Sequence, residues 1–165
     1  MLNYFKPKTI TNFIIILFIF FIDRISKIYV INQSKKKLSS ELFSSDYLNI
    51  NLMWNEGIAF GLFTFNESFF YNLLTIFICV IIIVIFFMVL KNDGLKKYSL
   101  LMIFGGALGN LYDRVFFQAV PDFIDFHVGN FHWFVFNVAD IFISIGVLIM
   151  ILSEFKGTDN SNEKN

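Results

Sequence analysis

The chain alternates between long apolar runs and short polar interruptions. Phe13–Ile22 is wholly apolar, Phe69–Leu90 carries no charge, and from Ile141 to Met150 only Ser144 is polar. Runs of this kind predict membrane-spanning helices, which need roughly 20 predominantly apolar residues. Four spans are expected, at about 10–31, 69–90, 98–117 and 134–152. Two polar loops, about 32–68 and 118–133, fall on one side, and the short "KNDGLKK" loop (91–97) falls on the other. Within the longer loop, "YLNINLMWN" alternates in part, as a short strand or two would. "SKKKLSSELFSSD" reads as an exposed connection, and residues 157–165 as a disordered cytoplasmic tail. The expected fold is an all-α membrane protein: one four-helix transmembrane domain over 1–156, with a small extracytoplasmic β-containing region. The first run is not read as a cleaved signal peptide, because Asp23 and Arg24 follow it in place of a small-residue cleavage site.

Composition agrees. Of 165 residues 56% are hydrophobic and 16% charged, with mean hydropathy +0.66. Soluble domains carry nearer a quarter charged residues. Formal net charge is zero, so no pull towards nucleic acid is implied. The single Cys79 has no intramolecular disulfide partner and reads as a small packing residue.

Four spans place both termini on one side, with the 91–97 loop. That side holds Lys6, Lys8, Lys91, Lys96, Lys97, Lys156 and Lys164, and the positive-inside rule makes it cytoplasmic. Lys35, Lys36 and Lys37 fall on the opposite side, in a longer loop that weighs less.

The polar residues inside the apolar runs gather towards the outer face. Asp23 and Lys27 lie near the outer end of the first span, i,i+4 on one helix face. Asn110, Asp113 and Arg114 lie near the outer end of the third. Asn137 and Asp140 lie near the start of the fourth, with Asp140 about six residues, or about 9 Å, inside it. Asp122 lies in the loop between the last two spans. Ionisable groups within membrane helices face a bundle interior or a wet cavity and mark function. Asp23/Lys27 and Asp113/Arg114 also suit structural ion pairs; Asp122 and Asp140 have fewer cations near them. A transporter would place such groups near the midplane of a repeated topology, and this chain shows no internal repeat. A purely structural protein leaves two separately placed aspartates and two asparagines unexplained.

Gly105, Gly106 and Gly109 read as close-packing positions. "GGALGN" lacks the strand and the Lys-Ser/Thr of a phosphate loop. "DFIDFHVGNFH" gathers Asp122, Asp125, His127 and His132. Its spacing matches no recognised zinc pattern, and His132 beside Trp133 suits an interfacial belt, so no metal or cofactor is expected.

Five blocks occur in order: "DRISK", "NEGIAFG", "GGALGNLYDR", "VPDFIDF" and "FNVAD". Together, spanning Asp23 to Asp140, they resemble the bacterial lipoprotein signal peptidases (signal peptidase II). The resemblance implies an intramembrane aspartyl endopeptidase of the bacterial inner membrane. Such enzymes cleave a prolipoprotein just before a diacylglyceryl-modified cysteine, without a cofactor, and are inhibited by globomycin. By motif position the catalytic pair is Asp122 and Asp140. The supporting positions are Asp23, Lys27, Asn55, Gly57, Asn110, Arg114 and Asn137. Asp125 competes with Asp122 for the first role, and motif position favours Asp122. Phe134 stands where members often carry a proline, and Pro121 restrains the backbone just before Asp122.

Overall fold

The computed structural model describes the backbone of residues 7–57 and 67–162, and the side chains of 9–57 and 69–155. Its elements, in order, are α1 (Pro7–Lys37), β1 (Glu41–Phe43), β2 (Leu48–Asn55), α2 (Glu67–Lys91), α3 (Gly94–Phe117), β3 (Val120–Val128), β4 (Phe131–Phe136) and α4 (Val138–Asn162).

Among the described residues, three helices are long and apolar enough to cross a membrane: Phe69–Lys91, Gly94–Phe117 and Val138–Phe155. This corrects the expected four apolar spans. α1 is not one of them, because Asp23, Arg24 and Lys27 interrupt its apolar run and Lys35, Lys36 and Lys37 end it. The three central charges are buried, while Ile14, Phe18, Phe21, Ile25 and Ile28 are exposed on the outside of the same helix. The chain is also not all-α, since the four strands pair as one antiparallel sheet in the order β1-β2-β3-β4. "YLNINLMWN" is β2, as its alternation predicts. The 118–133 loop is instead mostly strand, and the fourth helix starts at Val138, because Phe134–Phe136 end β4. α4 continues to Asn162, into the stretch expected to be a tail; its side chains from 156 on lie outside the described residues.

α3 is the hub, packing on α4, α1 and α2. Of its apolar window 44% is buried, against 11% in α2 and in α4, so the outer helices turn most of their surface outwards. Glycines allow the close approach. A Cβ on Gly106 would lie 2.6 Å from the carbonyl oxygen of Ala139, and one on Gly109 would lie 2.7 Å from Asp23 Oδ2.

Connectivity then fixes where the sheet sits. The C-terminal ends of α1 and α3 lead into β1 and β3, and the N-terminal ends of α2 and α4 follow β2 and β4. α1, α3 and α4 therefore meet the sheet at one end of the bundle, and α2 starts at that end. At the other end, Asn92 and Asp93 join α2 to α3, and Lys96 pairs with Glu154.

Candidate active site

Two buried polar clusters lie where the helices meet the sheet. The first is ionic. Lys27, with no exposed surface, donates to Asp23 Oδ2 (2.8 Å), Asp113 Oδ2 (2.7 Å) and Asn110 Oδ1 (2.8 Å). Arg24 Nη2 lies 2.6 Å from Asp113 Oδ1, and its guanidinium sits 4.9 Å from the ring centroid of Tyr112. The free oxygen of Asp23, Oδ1, accepts the backbone N–H of Ala139 (3.0 Å), in the first turn of α4. Charges from α1 and α3 thus neutralise each other and clamp the start of a third helix. Asp113 pairs with Lys27 and Arg24, not with Arg114 as its i,i+1 neighbourhood suggested. Arg114 donates to the carbonyl of Asn110 (3.2 Å) and forms no ion pair among the described residues.

The second cluster holds carboxylates by neutral donors. β3 delivers Asp122, which is 4% exposed. Its Oδ1 accepts from Asn137 Nδ2 (2.6 Å) and its Oδ2 from Asn55 Nδ2 (2.9 Å). β2 delivers Asn55 opposite Val120, two positions from Asp122 along the paired strand. Gly57 N–H in turn donates to Asn55 Oδ1 (2.8 Å). Gly57 has φ +76°, and a Cβ there would lie 2.6 Å from Leu74, so glycine suits both the turn and the packing. The remainder of "NEGIAFG", residues 58–61, lies outside the described residues.

Asp140 occupies the first turn of α4, not a point six residues inside it, because β4 takes up the residues before Asn137. Asn137 caps that helix. Its carbonyl accepts Ile141 N–H (3.4 Å), its Oδ1 accepts Asp140 N–H (3.1 Å), and its own N–H donates to Asp140 Oδ2 (3.1 Å). This is a reciprocal capping box. The other oxygen of Asp140, Oδ1, accepts from Asn110 Nδ2 (2.8 Å).

All four oxygens of Asp122 and Asp140 therefore accept from amides, and none pairs with a cation among the described residues. Asn137 binds both carboxyl groups. Asn110 joins the two clusters, accepting from Lys27 and donating to Asp140. Burial pushes the Asp122 carboxyl above the ordinary carboxylate range; the hydrogen bonds from Asn55 and Asn137 pull it back, and the charge of Asp140 pushes it up again. Asp140 lines a cleft of about 690 Å³ walled by Phe126, Phe134, Phe136, Ile141 and Ile145.

The structure thus brings Asp23, Lys27, Asn55, Asn110, Asp122, Asn137 and Asp140 together, with Arg114 and Gly57 at the margin. It adds Arg24 as an ion-pair partner and pairs Asp113 with Lys27 and Arg24. The signal for Arg24 was arithmetic: Lys27 alone cannot neutralise two buried acids.

The chain matches the family model of the signal peptidase (SPase) II peptidases over residues 15–156. It is 52% identical over 155 residues to the lipoprotein signal peptidase of Pelagibacter ubique (strain HTCC1062), covering 93% of each chain. It is 36% identical over 159 residues to that of Anaplasma phagocytophilum (strain HZ), covering 94% of this chain and 98% of the relative. A solved bacterial membrane enzyme structure, obtained by the in meso method at 2.3 Å, superposes with TM-score 0.73 at 30% identity, over 91% of this chain and 90% of that one.

Proposed function

The chain belongs to the signal peptidase II family, a peptidase family of membrane-embedded bacterial proteins, and from that premise we propose that it cleaves prolipoproteins by activating water between Asp122 and Asp140. The observation that carries the dyad is Asn137, which holds Asp122 through its side chain and Asp140 through its backbone N–H.

Two carboxyl groups that share a site cannot both ionise easily, so one proton stays with the pair. The ionised member takes a proton from water, whose oxygen attacks the scissile carbonyl carbon. The protonated member donates to the carbonyl oxygen. Collapse of the tetrahedral intermediate breaks the C–N bond, and a carboxyl proton goes to the leaving nitrogen. Amide donors suit this cycle because they orient both carboxyl groups without supplying the full counter-charge that would keep both ionised. The pair titrates as a unit. Lys27 and Arg24 form their ion pairs with Asp23 and Asp113 and not with the dyad.

The substrate is a prolipoprotein cut just before a cysteine that carries diacylglyceryl. Its acyl chains remain in lipid, which holds the scissile bond near the membrane surface. A dyad at the sheet end of the bundle, beside an apolar cleft, meets it there. Lys91, Lys96 and Lys97 at the opposite end support a cytoplasmic location for that end, with the dyad towards the extracytoplasmic face. Globomycin, which blocks this family, is expected to block turnover.

The test uses purified protein in detergent with a diacylglyceryl prolipoprotein. Wild type releases the signal peptide, with or without chelator. A chain that cleaves nothing contradicts the reading.

A further inference from the structure

A second group of polar side chains sits on the β3–β4 hairpin and takes no part in the dyad. Asp125, His127 and His132 each offer one ligand atom, and these atoms all lie within 4.8 Å of one another. His132 Nδ1 is 2.9 Å from Asp125 Oδ2 and 3.1 Å from Oδ1. The His127 and His132 rings stack at 4.9 Å with 14° between their planes. Among the described residues, His127 Nδ1 is buried without a hydrogen-bond partner.

Strand pairing builds this group. Asp125 and His127, two residues apart on β3, share a face. His132 joins them because of a bulge: Asp125 pairs with Val135 but His127 pairs with His132, so Trp133 and Phe134 together oppose Phe126. An unbulged register would put Trp133 opposite His127. Bulges commonly re-aim a side chain in this way. A two-residue turn, with Gly129 at φ +58°, closes the hairpin directly beyond.

We propose that Asp125, His127 and His132 bind a divalent transition-metal ion of the zinc class. Two imidazoles and one carboxylate are the donor set such ions take, at about 2.0–2.2 Å from the metal. Tetrahedral ligands at that radius stand about 3.4 Å apart, slightly wider than the hydrogen-bonded Asp125–His132 pair, and all three ligand atoms already lie within 4.8 Å of one another. Part of an outer shell is in place: Asn49 Nδ2 donates to Asp125 Oδ2 at 3.3 Å, and the backbone N–H of His127 is held by the Tyr47 carbonyl at 3.0 Å. His132 is half exposed, so an ion reaches the site from solvent. The third preceding residue on β3 is Asp122, and β4 runs on into Asn137, so the ion would pin the hairpin whose two strands carry the dyad and its cap.

The test titrates Co²⁺, then Zn²⁺, into tag-free full-length protein in detergent, read by d–d absorption and calorimetry, with no activity measurement. One equivalent of Co²⁺ is expected to give visible bands, displaced by Zn²⁺. His127→Ala and His132→Ala are each expected to weaken binding at least tenfold while leaving the helical circular dichroism unchanged. Absence of a one-equivalent transition at micromolar protein overturns the proposal. So does undiminished binding in the His127→Ala/His132→Ala double variant. If the single variants unfold, Asp125→Asn, which keeps the shape of the side chain, decides between the same two results.

Discussion

The two buried clusters use the same residue type in opposite ways. Asp23 and Asp113 meet Lys27 and Arg24, so each negative charge is matched and the cluster binds α1 to α3 and to the start of α4. Among the described residues, Asp122 and Asp140 accept hydrogen bonds only from Asn55, Asn110 and Asn137. Matched charge gives a fixed clamp. Unmatched charge held by amides leaves a carboxyl pair able to take up and release a proton. Asn110 touches both, so the clamp also positions the pair.

The comparison breaks most severely at Lys27. Lys27→Met leaves Asp23 and Asp113 buried with Arg24 alone, and loss of one partner of a buried pair costs about 3–5 kcal/mol. Thermal unfolding in detergent is expected to show a large loss; a variant as stable as wild type would mean that the cluster does not hold the helices. Asn137→Ala removes the bond to the Asp122 carboxyl and the cap on the Asp140 N–H, while the backbone N–H that holds the Asp140 carboxyl remains. Turnover is expected to fall about 10²-fold, as for a small misplacement of reacting groups, with stability reduced by only about 1–2 kcal/mol, as for a lost helix cap. Equal losses in Tm and activity would instead make Asn137 merely structural. Gly109→Ala forces a methyl against Asp23 and is expected to cost about 1–3 kcal/mol, measured by denaturant titration.

The smallest effect is a pH slope. Burial raises the Asp122 pKa, so the folded state binds a proton that the unfolded chain releases above about 3.8. Stability contributed by this group is therefore full below that value and is lost as pH rises through the raised pKa. Asp122→Asn is expected to flatten this part of the stability–pH curve. An unchanged slope would place Asp122 in a wetter setting than the structure shows.

Much of this was legible in the sequence, for identifiable reasons. Phe69–Leu90 lacks any charge, and a helix in lipid was its only reading. Asp23 and Lys27 declared a shared face through their i,i+4 spacing. The apolar run of α1 read as a span because charges further along a helix do not announce that they point inward. The depth of Asp140 was misread because Phe134–Phe136 suit a helix in lipid as well as a strand; pairing with β3 decides between them, and pairing is not local. The same holds for the histidines. One bulge, absent from any linear motif, brings His132 across to His127.

The central claim is that Asp122 and Asp140 work as one unit. The most direct measurement compares turnover of a diacylglyceryl prolipoprotein by wild type, Asp122→Asn, Asp140→Asn and the double variant, each shown to be folded. General acid–base groups contribute about 10²–10⁴-fold, and members of one catalytic unit are strongly non-additive. Each single variant is therefore expected to fall by about 10³-fold or more, to the level of the double. Near-normal turnover in either single variant, or a double variant whose loss is the product of two modest ones, would contradict the account.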